Sequence, residues 1–308
     1  MKRILILLAA VLVAVIVWMA LYPEPATRLA FRAERAISGL EYRMASVDGE
    51  TWHYLSGGPG NGETILLLHG FGGEKDNWNR FLRHLTGNYR VIAPDLPGFG
   101  QSARHPDWDY SLVPQRERVH AFATALGLTR FHLAGHSMGG HLSILYALEY
   151  REQIQSLALI NNAGIASPVE SAFMRNVAAG TNDLVIRSRE DFDSMMTMVF
   201  EEPPFAPWPM AKALATRAIA DADFNDAIFA SLLRTFEPGL ESELPDIACP
   251  VFILWGDNDR ILDVSSVTVM QSALPQADVV IMENMGHMPI LERPRETADY
   301  YRAFLQKP

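Results

Sequence analysis

Phe131-His132-Leu133-Ala134-Gly135-His136-Ser137-Met138-Gly139-Gly140 is the stretch on which the fold is read. A short run rich in large apolar residues, Phe131–Gly135, predicts a strand; a turn of glycine and serine follows, and a helical pattern then runs from Met138 to Tyr150. Within it Gly135-x-Ser137-x-Gly139 matches a turn that exposes a serine hydroxyl between a strand and a helix, with glycines where neighbouring backbone comes close. A serine hydroxyl is a weak nucleophile at neutral pH. It needs a base, and the base needs a carboxylate to hold it in one tautomer.

Working outward, apolar runs at 41–47, 51–55, 64–69, 89–94, 156–161, 251–255 and 279–283 predict seven further strands. Helical patterns at 75–86, 114–126, 264–274 and 294–305 separate several of them. Strand and helix in alternation imply an α/β fold: a mostly parallel, eight-stranded sheet with helices on both faces and its ligand site at the carboxyl ends of the strands. The first two strands, joined around Asp48-Gly49, read as an antiparallel hairpin at one edge. Residues Ile165 to Leu244 break the alternation with helical patterns and a proline-rich turn, Pro203 to Pro209, which predicts a helical cap on the sheet. Its Met174, Met195, Met196, Met198 and Met210 suit either a pliable wall for a long acyl chain or ordinary helix packing.

Of nine histidines, only His287 follows the serine helix, and it sits directly after a predicted strand. It is the expected base. Asp257, Asp259 and Asp263 follow the preceding strand and all offer the carboxylate. Spacing does not separate them.

The N-terminus is a different material. From Ile4 to Tyr22 there is no charge, and a helix of that length reaches about 28 Å, close to the ~30 Å of a bilayer's hydrocarbon. The run is longer than the ~7–15 apolar residues of a signal peptide, and its exit lacks small residues, so an uncleaved anchor is the favoured reading. Trp18 and Tyr22 suit the interface at its end. Beyond Pro23 and Pro25 a helix to Leu40 places Leu29, Ala33, Ala36, Ile37 and Leu40 on one side, with Arg28, Arg32 and Arg35 on another. It suits anionic head groups or packing on the domain equally well. The anchor accounts for the hydrophobic share of 49%; the net charge of −10, with no long basic block, argues against nucleic acid as a partner. The single cysteine, Cys249, excludes an internal disulfide and a cysteine-built metal site.

From about residue 41 onward the chain resembles the α/β-hydrolase fold family, and within it the monoacylglycerol lipase branch that includes membrane-anchored bacterial phospholipase A and lysophospholipase enzymes. His69-Gly70-Phe71-Gly72-Gly73, Asp95-Leu96-Pro97-Gly98-Phe99-Gly100-Gln101-Ser102, Gly135 to Gly140, Trp255-Gly256-x-x-Asp259 and Gly286-His287-Met288-Pro289 carry the likeness. The resemblance selects Asp259 as the acid, completing Ser137, Asp259 and His287. It also implies an oxyanion hole from the backbone N–H groups of Phe71 and Met138. It implies hydrolysis of glycerolipid acyl esters with release of fatty acid, without cofactor or metal. Met195, Met198, Phe205 and Trp208 of the cap are the expected acyl contacts.

The layout expected is an anchor over 1–22, a juxtamembrane helix over 23–40, a core over 41–164 and 246–308, and a cap over 165–245. A bacterial inner membrane with the domain on the periplasmic side follows from the resemblance and the short N-terminal tail, since basic residues flanking the anchor are evenly matched. Self-association through residues 1–40 is a further expectation. A carbon–carbon bond hydrolase of the same fold and a non-catalytic lipid-binding protein are the alternatives.

Overall fold

The computed structural model describes residues 2–206, 208–234 and 239–307, so Pro207 of the proline-rich turn falls outside them. The N-terminal run forms helix α1 (Lys2–Leu21), with a mean hydropathy of 3.2 and none of it buried against the rest of the chain. By length and composition it can cross a membrane. After Tyr22, whose ring lies 6.4 Å from that of Trp18, α2 (Pro23–Ile37) starts on a proline, whose missing N–H costs nothing in a first helical turn.

Of the two readings open for α2, the structure takes packing on the domain. Its apolar stripe is not what docks: Leu29, Ala33, Ala36 and Ile37 are exposed, while Ala26 and Thr27 are buried. The charged edge docks instead. Glu24 accepts two hydrogen bonds from Arg217 (2.7 and 2.9 Å), Glu34 two from Arg80 (2.8 and 3.0 Å), and Arg35 forks onto Asp76.

β1 (Leu40–Val47) and β2 (Glu50–Gly57) form the expected hairpin. Asp48 (φ 52°) and Gly49 (φ 85°) both take the left-handed backbone that a two-residue hairpin turn requires. β3 (Thr64–Leu68), α3 (Asn79–Leu82), β4 (Arg90–Pro94), α4 (Leu112–Ala125), β5 (Phe131–His136), α5 (Met138–Glu149) and β6 (Ile154–Ile160) continue the alternation. The helix expected over 75–86 is shorter and tighter than predicted: a 3₁₀ turn at Lys75–Trp78, whose first N–H is capped by Asp95, leads straight into the four residues of α3, and turns follow from Arg83.

Between β6 and β7 (Val251–Gly256) the chain inserts α6 (Ala172–Ala178), α7 (Arg189–Val199), α8 (Trp208–Ala220) and α9 (Ala222–Leu233). It returns through α10 (Ser266–Ala273), β8 (Asp278–Met282), α11 (Pro289–Glu292) and α12 (Pro294–Leu305). The sheet order is β1-β2-β4-β3-β5-β6-β7-β8, parallel from β4 to β8.

The period of two along the strands divides the core. Leu66, Leu133, Leu159 and Trp255 face α4, α5 and α10; Leu67, Ala134, Ile160 and Leu254 face α3 and α12. With both faces covered, β3, β5 and β7 are buried along their whole length. Their carboxyl ends open toward the insertion. The insertion adds its own apolar cluster, in which Phe173, Val199, Phe200 and Phe229 pack with Ile261 and with Phe71 of the loop after β3.

Candidate active site

Ser137 sits between β5 and α5 with φ 53° and ψ −121°, a left-handed conformation that costs a side-chain-bearing residue roughly 1–3 kcal/mol. The turn is held shut by close backbone contact. A Cβ on Gly135 would lie 2.2 Å from the Gly139 carbonyl oxygen, and one on Gly139 would lie 2.2 Å from that of Leu68, so neither position accepts a larger residue. The same packing brings the loop after β3 against the serine, since a Cβ on Gly70 would meet the Ser137 Cβ at 3.0 Å. Phe71 is the next residue in that loop. Met138 is the first residue of α5, where a helix N–H has no acceptor within the helix.

His287 lies in the loop between β8 and α11, with its N–H donated to the Val199 carbonyl at the end of α7 (2.8 Å). Its Nδ1 is 2.7 Å from Asp259 Oδ2. Both residues are buried, and the His287 ring lies 4.8 Å from that of His136, the neighbour of Ser137. Asp259 is held on every side: Oδ1 accepts the N–H groups of Ile261 (2.8 Å) and Leu262 (3.0 Å), and Oδ2 also accepts Asn161 Nδ2 (2.7 Å). Among the described residues the Asp257 carboxylate accepts one hydrogen bond, from the Met285 N–H (3.2 Å), and it is exposed. The structure therefore brings Asp259, not Asp257, to His287.

Residues 63–294 match the family model for the α/β-hydrolase fold. The chain is 35% identical to Lipase 1 of Psychrobacter immobilis over 90% of this chain and 88% of that protein. It is 29% identical to mouse monoacylglycerol lipase ABHD6 over 97% and 92%. The crystal structure of a membrane phospholipase A, described as a bacterial virulence factor, superimposes with a TM-score of 0.90 at 46% identity, covering 99% of this chain and 98% of that one. This chain belongs to the α/β-hydrolase fold family.

In this α/β hydrolase the four expected cap contacts divide. Met195 and Met198 pack in the cluster that holds Phe71 and Phe229. Phe205 and Trp208 stand in solvent instead, 81% and 58% exposed, with the Phe205 backbone carbonyl held by Arg80 of the core (3.3 Å).

Two polar residues of the site escaped the sequence reading. Asn161, at the end of β6 with φ 43°, donates to Asp259; a polar pair, Asn161-Asn162, at the carboxyl end of a central strand was its signal. His136 donates from Nε2 to the His287 carbonyl (2.8 Å) and so holds the histidine loop.

Burial keeps several of these histidines neutral. The pKa of His136 is pushed down to about 3 and that of His141 to about 4, and His69 is lowered as well. His69 has a defined tautomer: Nε2 accepts the Leu96 N–H (3.0 Å), so Nδ1–H donates to the Gly70 carbonyl (2.8 Å). A histidine whose folded pKa is depressed binds its proton more readily in the unfolded chain. Its stabilisation is complete above ~6.5 and declines as pH falls toward the folded value. Glu74 acts in the opposite sense, since burial and the neighbouring Asp76 and Asp95 raise its pKa to about 7. With His53, His84 and His132 lowered too, six histidines outweigh two raised carboxyls among the described residues, Glu74 and Glu292. The urea midpoint is expected to fall steadily from pH 6.5 to 4.5, and a flat or rising midpoint would refute the assignment.

Proposed function

We propose that the protein is a membrane-tethered serine hydrolase that cleaves acyl esters of glycerolipids. The observation that carries the chemistry is the fully bonded Asp259 on His287 Nδ1, beside a serine presented on a strand-to-helix turn. With Nδ1–H donated to Asp259, Nε2 is left as the base. Ser137 Oγ attacks the ester carbonyl as its proton passes to His287 Nε2. The oxyanion that forms is met by the N–H groups of Phe71 and Met138, two donors fixed before the reaction starts. Collapse of the intermediate expels the glycerolipid alcohol, which takes the proton back from His287. Water, deprotonated by the same nitrogen, then releases the fatty acid from Ser137.

The substrate class rests on the surroundings of this chemistry. Around the Phe71 loop the insertion packs an apolar cluster that includes Met195, Met198, Phe200 and Phe229, and flexible methionines adapt to an acyl chain. Helix α1 supplies a tether that keeps the cleft near the bilayer, where such esters partition. A periplasm-facing domain is part of the reading, tested by reporters fused after residue 308. Self-association through residues 1–40 is not part of it; the engagement of Glu24, Glu34 and Arg35 within the chain bears on α2 alone.

The test is fatty-acid release by the detergent-solubilised full chain from diacyl phospholipid, lysophospholipid, monoacylglycerol and short p-nitrophenyl esters, with Ser137→Ala as control. Release from at least one glycerolipid is expected at a higher kcat/KM than from the short esters. Cleavage of short esters alone would remove the lipid assignment and leave the triad standing. Equal release by the serine variant would remove both.

A further inference from the structure

The loop that carries Phe71 is pinned at both ends to the segment just after β4. At its start, His69 Nε2 accepts the Leu96 N–H. At its end, the Lys75 N–H donates to Asp95 Oδ1 at 2.7 Å, and Lys75 Nζ donates to Asp95 Oδ2 (2.8 Å) and Gln101 (3.0 Å). Asp95 also takes the Gln101 N–H (2.9 Å), which holds the Pro97–Gly100 turn. Lys75 and Asp95 side chains are both fully buried, so their charges depend on each other.

A second carboxylate competes for the same ammonium. Asp76 Oδ2 lies only 3.7 Å from Lys75 Nζ, with a side chain 1% exposed. What satisfies Asp76 is Arg35, reaching in from α2 with Nε 2.6 Å from Oδ1 and Nη2 on Oδ2; Asn79 adds one hydrogen bond at 2.9 Å. Lys75 and Arg35 thus face Asp95 and Asp76, with Glu74 beside them as a third carboxyl whose pKa burial and those two carboxylates raise. Without Arg35, one ammonium would be shared between two buried anions, and Asp76 is within easy reach of it. The other ion pairs of α2 are half-buried and do not touch Lys75: Glu34 meets Arg80, and Glu24 meets Arg217 of α8, whose Nη1 lies 3.7 Å from Glu74 Oε1.

We infer that Arg35 is a positioning residue for the hydrolytic reaction, keeping Lys75 on Asp95 and thereby holding the Phe71 N–H where the oxyanion forms. The inference rests on the serine-hydrolase reading above. Its consequence is that the helix following the membrane segment is a working part of the active-site support, not merely a spacer. A chain cut between α2 and β1 would lose that support.

The test uses the full-length protein in detergent with a soluble p-nitrophenyl ester, reading kcat and KM separately together with thermal unfolding. Loss of one oxyanion donor lowers kcat about 10²–10³-fold. Arg35→Met displaces the donor without removing it, so kcat is expected to fall at least about tenfold with KM within about threefold. Arg35→Met/Asp76→Asn removes the competing carboxylate and is expected to return kcat to within about threefold of the parent. Glu34→Gln weakens the same helix docking without disturbing Lys75 and should leave kcat unchanged.

A lower melting temperature with parental kcat in folded Arg35→Met would overturn the inference, as would a double variant no better than the single. If Arg35→Met does not fold, Arg35→Lys keeps the charge without the fork; a tenfold loss of kcat there would equally overturn the charge-balance account. These outcomes are independent of the triad, whose failure shows instead as full activity in Ser137→Ala.

Discussion

Ser137→Ala lowers kcat for ester hydrolysis by on the order of 10⁵–10⁶, with the folded chain retained. The size follows from the mechanism: with no oxygen to acylate, only water held in the cleft can attack, aided by the oxyanion donors. The retention follows from the backbone. Ser137 holds φ 53° because Gly135, Gly139 and the Leu68 carbonyl are packed around the turn, not because its own side chain demands it. Alanine meets the same φ with the same Cβ, so the strain is unchanged and thermal unfolding should move by no more than a degree or two. The measurement is single-turnover hydrolysis of a p-nitrophenyl ester together with labelling by a fluorophosphonate. Parental protein is expected to label with one equivalent and the variant not at all. A variant that still labels at the parental rate would place the nucleophile elsewhere.

What could be read from sequence here was whatever depends on neighbours along the chain. The eight strands are recognisable because each is a short apolar run between turn residues, and the parallel order follows from the helices between them. Ser137 announces itself by the glycines two positions to either side. His287 is found because no other histidine follows the serine helix. Asp259 was separable from Asp257 only by family likeness. The physical difference, four hydrogen bonds against one, involves Asn161, 98 residues away, and loop geometry that no local pattern encodes.

The failures have the same origin. Lys75-Asp76 looks like the polar face of an exposed helix, whereas both residues are buried against Asp95 and Arg35, 20 and 41 positions distant. For α2 the sequence offered an apolar stripe and an arginine stripe, and intuition favours docking by the apolar one. The charged edge docks because the core and the insertion offer Asp76, Arg80 and Arg217 at matching heights. Phe205 and Trp208 were chosen for their chemistry. Whether a turn residue faces inward is decided by the packing of α8 on α2, which composition does not report.

Asp259→Asn is expected to lower kcat about 10⁴-fold at neutral pH, more than the loss of any other residue that does not meet the substrate. The substitution exchanges one carboxylate oxygen for an NH₂ group, and every oxygen position here already faces donors. With the amide oxygen toward Ile261 and Leu262, the NH₂ faces His287 Nδ1 and Asn161 Nδ2. His287 can then keep that contact only by accepting at Nδ1, which moves its proton to Nε2 and removes the base from Ser137. Turning the amide over restores the histidine contact and sets NH₂ against two backbone N–H groups instead. The first arrangement is therefore favoured, and the inactive tautomer with it.

The same reasoning ranks the neighbours. Asn161→Ala leaves Asp259 three of its four donors and His287 its tautomer, so a loss near tenfold is expected. Asp257→Asn should be silent. The three variants are compared by kcat on a soluble ester, with thermal unfolding as the check that each remains folded. A folded Asp259→Asn variant within tenfold of the parent, or an Asp257→Asn variant that loses more than it, would transfer the role to another carboxylate.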